Sequence, residues 1–171
     1  LWRHAEYVDR MRAQVSREWG GELTLFDIVR ESPARDRVYE LIPGAKGQFA
    51  GAPLSVNSAG FRDREHPAAP AQGARRIAIL GDSIAFGWGV PADRRFGERL
   101  EAILNADTPT TTARFEVLNF AVPGYNSVME LATLREEQEQ ALRSAVGDSV
   151  LAEVRRRCGG GCSPLERLEG F

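Results

Sequence analysis

The pattern of apolar and polar positions divides the first third of the chain into a helical start and an irregular stretch. Apolar residues recur at steps of three and four from residue 2 to residue 19, which predicts an amphipathic helix ending at Gly20-Gly21. Turn-rich sequence follows as far as Pro53. The alternation of Leu54-Ser55-Val56 then predicts a small strand.

The middle of the chain repeats a strand followed by a helix. The short apolar run 76–80 predicts a buried strand, and apolar spacing over 93–106 predicts a helix. A second strand is predicted at 115–120 and a second helix at 127–145. Because strand and helix alternate, we expect an α/β fold whose strands are parallel and joined by a right-handed crossover.

The predicted core is flanked by two less regular segments. The Pro/Ala-rich stretch 67–74 has the composition of a flexible spacer, so we expect an N-terminal extension over 1–74 and the core over 75–146. The pattern weakens in the C-terminal tail, 147–171, where 149–154 fits a strand or a helical turn. Two core strands predict an incomplete sheet with exposed edges.

Composition and charge narrow the class of partner. The chain has 171 residues, a formal charge of −2 and interspersed acids and bases, so we expect no nucleic-acid partner. No apolar run is long enough to predict a membrane span. Because the first residue is Leu1 rather than Met, we expect an incomplete N-terminus, which leaves periplasmic, membrane-anchored and cytoplasmic locations open.

The only two cysteines, Cys158 and Cys162, flank three glycines near the C-terminus. We favour two free thiols, although a disulfide across the glycines fits the spacing too. A metal site would need more ligands, and no histidine lies nearby, so we expect no bound metal. The pair does not decide the redox compartment.

Candidate chemistry lies where the first core strand ends, in Gly81-Asp82-Ser83. A serine after such a strand sits where open α/β sheets bind ligands, so Ser83 is the candidate nucleophile. Gly81 allows a sharp turn, and Asp82 is expected to organise that turn through side-chain to backbone hydrogen bonds. The tripeptide recurs at 147–149, but there it follows a polar helical pattern and predicts a helix-ending turn.

Together with its surroundings, this stretch resembles the SGNH/GDSL hydrolase family of bacterial esterases and lipases. The first block matches over 79–90, the second over 117–127, and Asn57 to Arg62 is similar to the lead-in of many members. The resemblance covers roughly residues 37–135. It implies a partial flavodoxin-like, three-layer α/β/α fold and no cofactor. The implied substrate is a small-molecule ester or an acylated carbohydrate.

The resemblance also implies site residues. Ser83 would be the nucleophile, and its backbone amide and that of Gly124 would form the oxyanion hole. The residues themselves agree on Gly124, because it follows the second strand and should lie at the same sheet edge as Ser83. Pro123-Gly124 also fits a simple turn. Asn126 is expected to support the loop or to cap the helix that follows.

Two further elements of the family pattern do not occur after the second block. No asparagine follows Asn126, and no histidine follows Ser83. Asp63 and His66 have the Asp-x-x-His spacing but lie upstream of the serine, so His66 is a less favoured candidate for the base. We therefore expect this chain alone to be inactive or nearly so, as the front part of an ester hydrolase.

Two other classes of function have to be compared with the sequence. A non-catalytic ligand-binding module would keep the pocket without the base, and an O-acetyltransferase-like protein would use the same fold. A nucleotide-binding domain would need a phosphate loop, but the glycines at 81, 87 and 89 do not have the spacing of the dinucleotide-binding fingerprint, and no Gly-Lys-Ser/Thr occurs.

Overall fold

The computed structural model describes residues 22–34, 36–106 and 114–146. These residues form short helices and strands in the following order: α1 (Leu25–Ile28), β1 (Val29–Glu31), β2 (Tyr39–Leu41), β3 (Lys46–Phe49), β4 (Ala52–Ser55), β5 (Arg75–Ile79), α2 (Ser83–Phe86), a 3-10 turn (Ala92–Arg94), α3 (Phe96–Ala106), β6 (Phe115–Asn119) and α4 (Ser127–Val146). The predictions for 1–19, 108–112, 147–171 and the two cysteines lie outside the described residues.

The central element is a parallel pair of strands, β5 and β6. Their register places Arg75 opposite Phe115 and Ile79 opposite Asn119. Helix α3 connects them and covers one face, where a side chain at Gly97 would lie 3.1 Å from Ile79 Cδ1 and 3.7 Å from Val117 Cγ1. The close approach of helix and sheet therefore depends on Gly97. The predicted α/β character, with parallel strands, is confirmed.

Two antiparallel pairs precede this unit. Strand β1 pairs with β2, and β3 pairs with β4. The β3–β4 pair turns through Ala50 and Gly51, which both have positive φ, at 50° and 80°. Only the β4 strand was predicted, at 54–56; it begins two residues earlier, at Ala52, and ends at Ser55.

Among the described residues, one hydrophobic cluster joins the first helix and strands to the loops that follow β5 and β6. Its buried members come from both halves of the chain: Ile28, Leu41, Phe49, Leu54, Val56, Phe86, Ala121, Val122, Tyr125 and Met129. Two long-range hydrogen bonds reinforce it, from Tyr39 Oη to the Pro123 carbonyl at 2.5 Å and from Tyr125 Oη to the Tyr39 carbonyl at 2.6 Å. The segment expected to be an extension therefore packs directly against the strand-end loops.

The predicted helix at 93–106 begins later than expected. Ala92–Arg94 form a 3-10 turn, Arg95 is extended with ψ of 147°, and the α-helix starts at Phe96. The Arg95 side chain is buried and bonded to the Arg62 carbonyl and to Glu98, which holds this residue out of the helix. Strand β6 and helix α4 match their predicted positions within one residue.

Candidate active site at the ends of the parallel strands

Ser83 is held at the start of the short helix α2, directly after β5. The Asp82 carboxylate accepts a hydrogen bond from the Ile84 amide at 3.0 Å, so Asp82 caps this helix and organises the turn. Gly81 has φ of +155°, and a side chain there would lie 2.6 Å from Ala85 Cβ. Only glycine fits this turn, because any larger residue would push α2 away from the strand end.

Gly124 lies in the loop that follows β6, beside the loop of Ser83. The Val122 amide donates to the Gly81 carbonyl at 3.1 Å and joins the two loops. Gly124 has φ of +81°, and an added Cβ would lie 2.5 Å from Tyr39 Oη. Tyr39 fixes this peptide through its bond to the Pro123 carbonyl, and burial raises the pKa of Tyr39, which keeps the hydroxyl protonated.

Two backbone amides of these loops are available to a ligand. Among the described residues, neither the Ser83 amide nor the Gly124 amide donates a hydrogen bond. Ser83 is half-buried, and its hydroxyl bonds no described residue. Unpaired amides beside a candidate nucleophile are the groups that can bind a developing oxyanion.

Arg62 holds the loop after α2 through hydrogen bonds to its carbonyls. Its side chain is buried and donates to the carbonyls of Gly87, Val90, Pro53 and Phe86, the last three at 2.8, 3.0 and 3.3 Å. Burial, with a smaller contribution from Arg95, lowers the pKa of Arg62 to about 10, so the guanidinium stays charged at neutral pH. It therefore acts as a fixed cation that holds four carbonyls in place.

His66 and Asp63 are paired with each other rather than with Ser83. His66 Nε2 lies 3.0 Å from Asp63 Oδ2, which also accepts the Asn119 amide at 2.9 Å. Burial raises the pKa of Asp63, but the bonds from His66 and Asn119 outweigh burial and hold it below its usual value. No hydrogen bond joins His66 to Ser83, so the described residues supply no base in contact with the serine hydroxyl.

Asn126 caps α4 rather than contacting Ser83. Its side-chain oxygen accepts the amides of Val128 and Met129 at 3.0 and 3.2 Å. Asn119 has a comparable role, since its side chain donates to the Ala85 carbonyl at 2.9 Å and accepts the Ala121 amide at 3.0 Å. Both asparagines therefore fix the loops that carry the candidate site.

An apolar cavity of about 160 Å³ opens beside the α2 loop. Leu23, Phe26, Phe49, Ala50 and Trp88 contribute to its lining. Trp88 is joined to the turn of the candidate nucleophile, because its amide donates to the Ser83 carbonyl at 3.0 Å. A cavity of this size and lining can hold a group on the scale of a benzene ring.

Sequence reasoning missed the roles of Arg62 and Tyr39. Arg62 was noted only as part of the lead-in, and Tyr39 lay in a segment without a clear pattern. Both act on residues far along the chain, 84 residues away in the case of Tyr39 and Pro123. Local periodicity carries no signal for such contacts.

Comparison with known proteins finds no matching family model, no matching curated protein and no matching solved structure. The resemblance to SGNH/GDSL hydrolases therefore stays a prediction, carried by the motif residues and their spacing. Within the part of the chain that the structure describes, no helix has the length and apolarity required to cross a membrane.

Proposed function

We propose that this chain carries the nucleophile and oxyanion hole of an SGNH-type serine ester hydrolase, on a partial flavodoxin-like, three-layer fold. The observation that supports this most is the pair of unbonded amides, at Ser83 and Gly124, on two loops joined by the Val122 to Gly81 hydrogen bond. In acyl transfer, such amides stabilise the negative oxygen of the tetrahedral intermediate.

The reaction would proceed through Ser83. Its Oγ attacks the ester carbonyl carbon, the carbonyl oxygen becomes the oxyanion, and the intermediate expels the alcohol as the serine proton is transferred to it. Water then attacks the acyl-serine and releases the acid, with the proton returned to Oγ. Since no described base contacts the hydroxyl, both steps are slow in this chain, and stabilisation by the amides supplies most of the remaining rate enhancement.

Small-molecule esters and acylated carbohydrates are the substrate classes we propose. The apolar cavity beside Trp88 suits a short acyl or aromatic part of such an ester. Ile84, directly after Ser83, has 81% of its surface exposed, so the leaving alcohol of such an ester would face solvent.

Covalent labelling of the serine tests this function without requiring fast turnover. The chain is incubated with a fluorophosphonate ester, and the modified peptide is located by mass spectrometry. Because no described base contacts the hydroxyl, we expect slow modification at Ser83, faster than at the other serines, and its loss in Ser83→Ala. Ser149→Ala is the matched control, since it changes the serine of the second Gly-Asp-Ser. Labelling that is unspecific, or unchanged in Ser83→Ala, would contradict the proposal.

A second candidate is a ligand-binding module without turnover, which the lack of a described base beside Ser83 favours. Calorimetric titration with an acetylated sugar, followed by analysis of the recovered ligand, separates the two. Binding with intact ligand and no labelling at Ser83 supports the module. Acyl transfer to an added alcohol acceptor instead of water would indicate an O-acetyltransferase-like activity.

A further inference from the structure

A β-turn shortly after β6 carries Gly124. The Tyr125 amide donates to the Val122 carbonyl at 3.1 Å, so Pro123 and Gly124 are the central residues of this turn. Proline fixes its own φ at about −65°, and Gly124 has φ of +81°. A negative φ followed by a positive φ at the two central positions defines a type II turn.

The peptide between Pro123 and Gly124 has two orientations available in such a turn. Type I and type II turns differ mainly by a flip of this central peptide, and both accept proline at the first central position. Glycine adopts the φ of either turn. Because the carbonyl and the N–H of a trans peptide point in opposite directions, the flip would exchange the sides that the Pro123 carbonyl and the Gly124 amide face. The sequence of the turn alone therefore leaves the direction of the Gly124 amide open.

Tyr39 holds the carbonyl side of this peptide. Its Oη donates to the Pro123 carbonyl at 2.5 Å. Pro123 is fully buried, so without this donor the carbonyl would stay unbonded or would have to turn to another side. With the carbonyl facing Tyr39, the Gly124 amide points away from Tyr39, and among the described residues no acceptor takes its hydrogen. The bond from Tyr39 therefore keeps this amide free for a ligand.

Tyr39 is itself fixed by the residue that ends the turn. Tyr125 Oη donates to the Tyr39 carbonyl at 2.6 Å, and the two rings pack edge to face with their centroids 5.5 Å apart. The backbone of Tyr39 also pairs with Glu31 of β1. The Tyr39 hydroxyl is therefore held from both its ring and its backbone, so it can impose an orientation on the peptide that it bonds.

We propose that Tyr39 is a positioning residue of the candidate active site, whose hydroxyl holds the Pro123–Gly124 peptide in the type II orientation and so keeps the Gly124 amide turned toward the oxyanion hole. This inference rests on the proposed function, which gives the Gly124 amide its role. Tyr39 acts through the peptide and has no contact with the substrate. Since Tyr39 belongs to β2, the segment that precedes the parallel strands then contributes to the site.

The rate of Ser83 labelling by a fluorophosphonate ester tests this role. Tyr39→Phe removes the hydroxyl and keeps the ring, and we expect it to slow the labelling at least about fivefold. Tyr125→Phe is the matched control, because it removes a hydrogen bond of similar length from the same cluster and leaves the Pro123 carbonyl bonded; its rate should stay within about twofold of the unmodified chain. Equal rates for Tyr39→Phe and the unmodified chain, or equal slowing of both variants, would overturn the inference alone. No labelling of Ser83 in the unmodified chain would instead refute the proposed function.

Nuclear magnetic resonance of the 15N-labelled chain tests the turn independently of any chemistry at Ser83. In a type II turn the Gly124 amide proton lies close to the Pro123 Hα and gives a strong nuclear Overhauser effect, whereas in a type I turn the two protons are further apart. We expect a strong effect in the unmodified chain and in Tyr125→Phe, and a weaker one in Tyr39→Phe. An unchanged effect in Tyr39→Phe would show that the hydroxyl does not select the turn, and would overturn the inference.

Discussion

Replacement of Arg62 by methionine should strongly destabilise the protein, because four carbonyls depend on its guanidinium. Methionine keeps much of the side-chain volume but has no donor. The carbonyls of Gly87, Val90 and Pro53 would lose their partner in a site where Arg62 is only 3% exposed. The loop after Ser83 would then have to open to water or leave buried acceptors unbonded.

The expected loss in the free energy of unfolding follows from two opposing contributions. Hydrogen bonds from a charged donor contribute about 1.5–3 kcal/mol each, so the three shorter bonds of Arg62 amount to roughly 5–9 kcal/mol. Removal of the buried charge also removes its desolvation penalty, which is several kcal/mol. The net loss in the free energy of unfolding should be about 3–5 kcal/mol, a large part of the stability of a domain of this size.

Urea unfolding followed by circular dichroism measures this loss. Arg64→Met is the matched control, since Arg64 is 46% exposed in its side chain and forms an ion pair with Glu101. We expect the control to lose no more than about 1 kcal/mol. If Arg62→Met lay within about 1 kcal/mol of the unmodified chain, the carbonyls would not depend on the guanidinium and the reasoning would fail.

Three further perturbations have defined outcomes. Gly124 has φ of +81°, and the Cβ of an alanine there would lie 2.5 Å from Tyr39 Oη. Gly124→Ala should therefore lower the free energy of unfolding by about 1–3 kcal/mol and slow the labelling of Ser83 at least about tenfold. An unchanged labelling rate would exclude this amide from the site. Glu101→Ala leaves the Val117 amide without its acceptor and should lower the free energy of unfolding, measured in urea, by about 1–3 kcal/mol. Glu130→Ala should have little effect. Equal losses for the two variants would show that the hydrogen bond from Val117 to Glu101 does not stabilise the fold. Because the pKa of Asp63 is lower in the folded than in the unfolded state, ionised Asp63 stabilises the fold at pH values above its unfolded pKa of about 3.9, and this stabilisation is lost as the pH falls through the folded pKa. The free energy of unfolding of Asp63→Asn should therefore differ from that of the unmodified chain more at about pH 7 than at about pH 3. A difference that does not depend on pH would refute this linkage.

The regular part of the fold could be predicted because its signals are local. The apolar run before Gly81 and the spacing of Phe96, Leu100 and Leu104 depend on neighbouring residues, so β5 and α3 appear in the sequence within a few residues of their observed ends. The start of α3 was misplaced because Arg95 is held by a tertiary contact with the Arg62 carbonyl. Strands of three residues, such as β1 and β2, are too short to show alternation.

In the candidate site, too, the residues with local sequence signals could be predicted and those set by distant contacts could not. Gly81, Asp82 and Ser83 form one turn whose chemistry is visible in consecutive residues, and Gly124 follows from the parallel pairing of β5 and β6. The buried cation that supports the loop could not be found, because an arginine after a turn usually lies in solvent. Its burial depends on carbonyls about 25 residues further along the chain.

The contacts between Tyr39 and the loop at 123–125 also determine when the molecule can fold. They join residues 84 and 86 positions apart, and the main hydrophobic cluster spans Ile28 to Met129. Closing such long loops is entropically unfavourable, and folding slows as the mean sequence separation of contacts rises. During synthesis the antiparallel strands near the N-terminus must therefore wait, with part of their apolar surface uncovered, until residue 129 has left the ribosome.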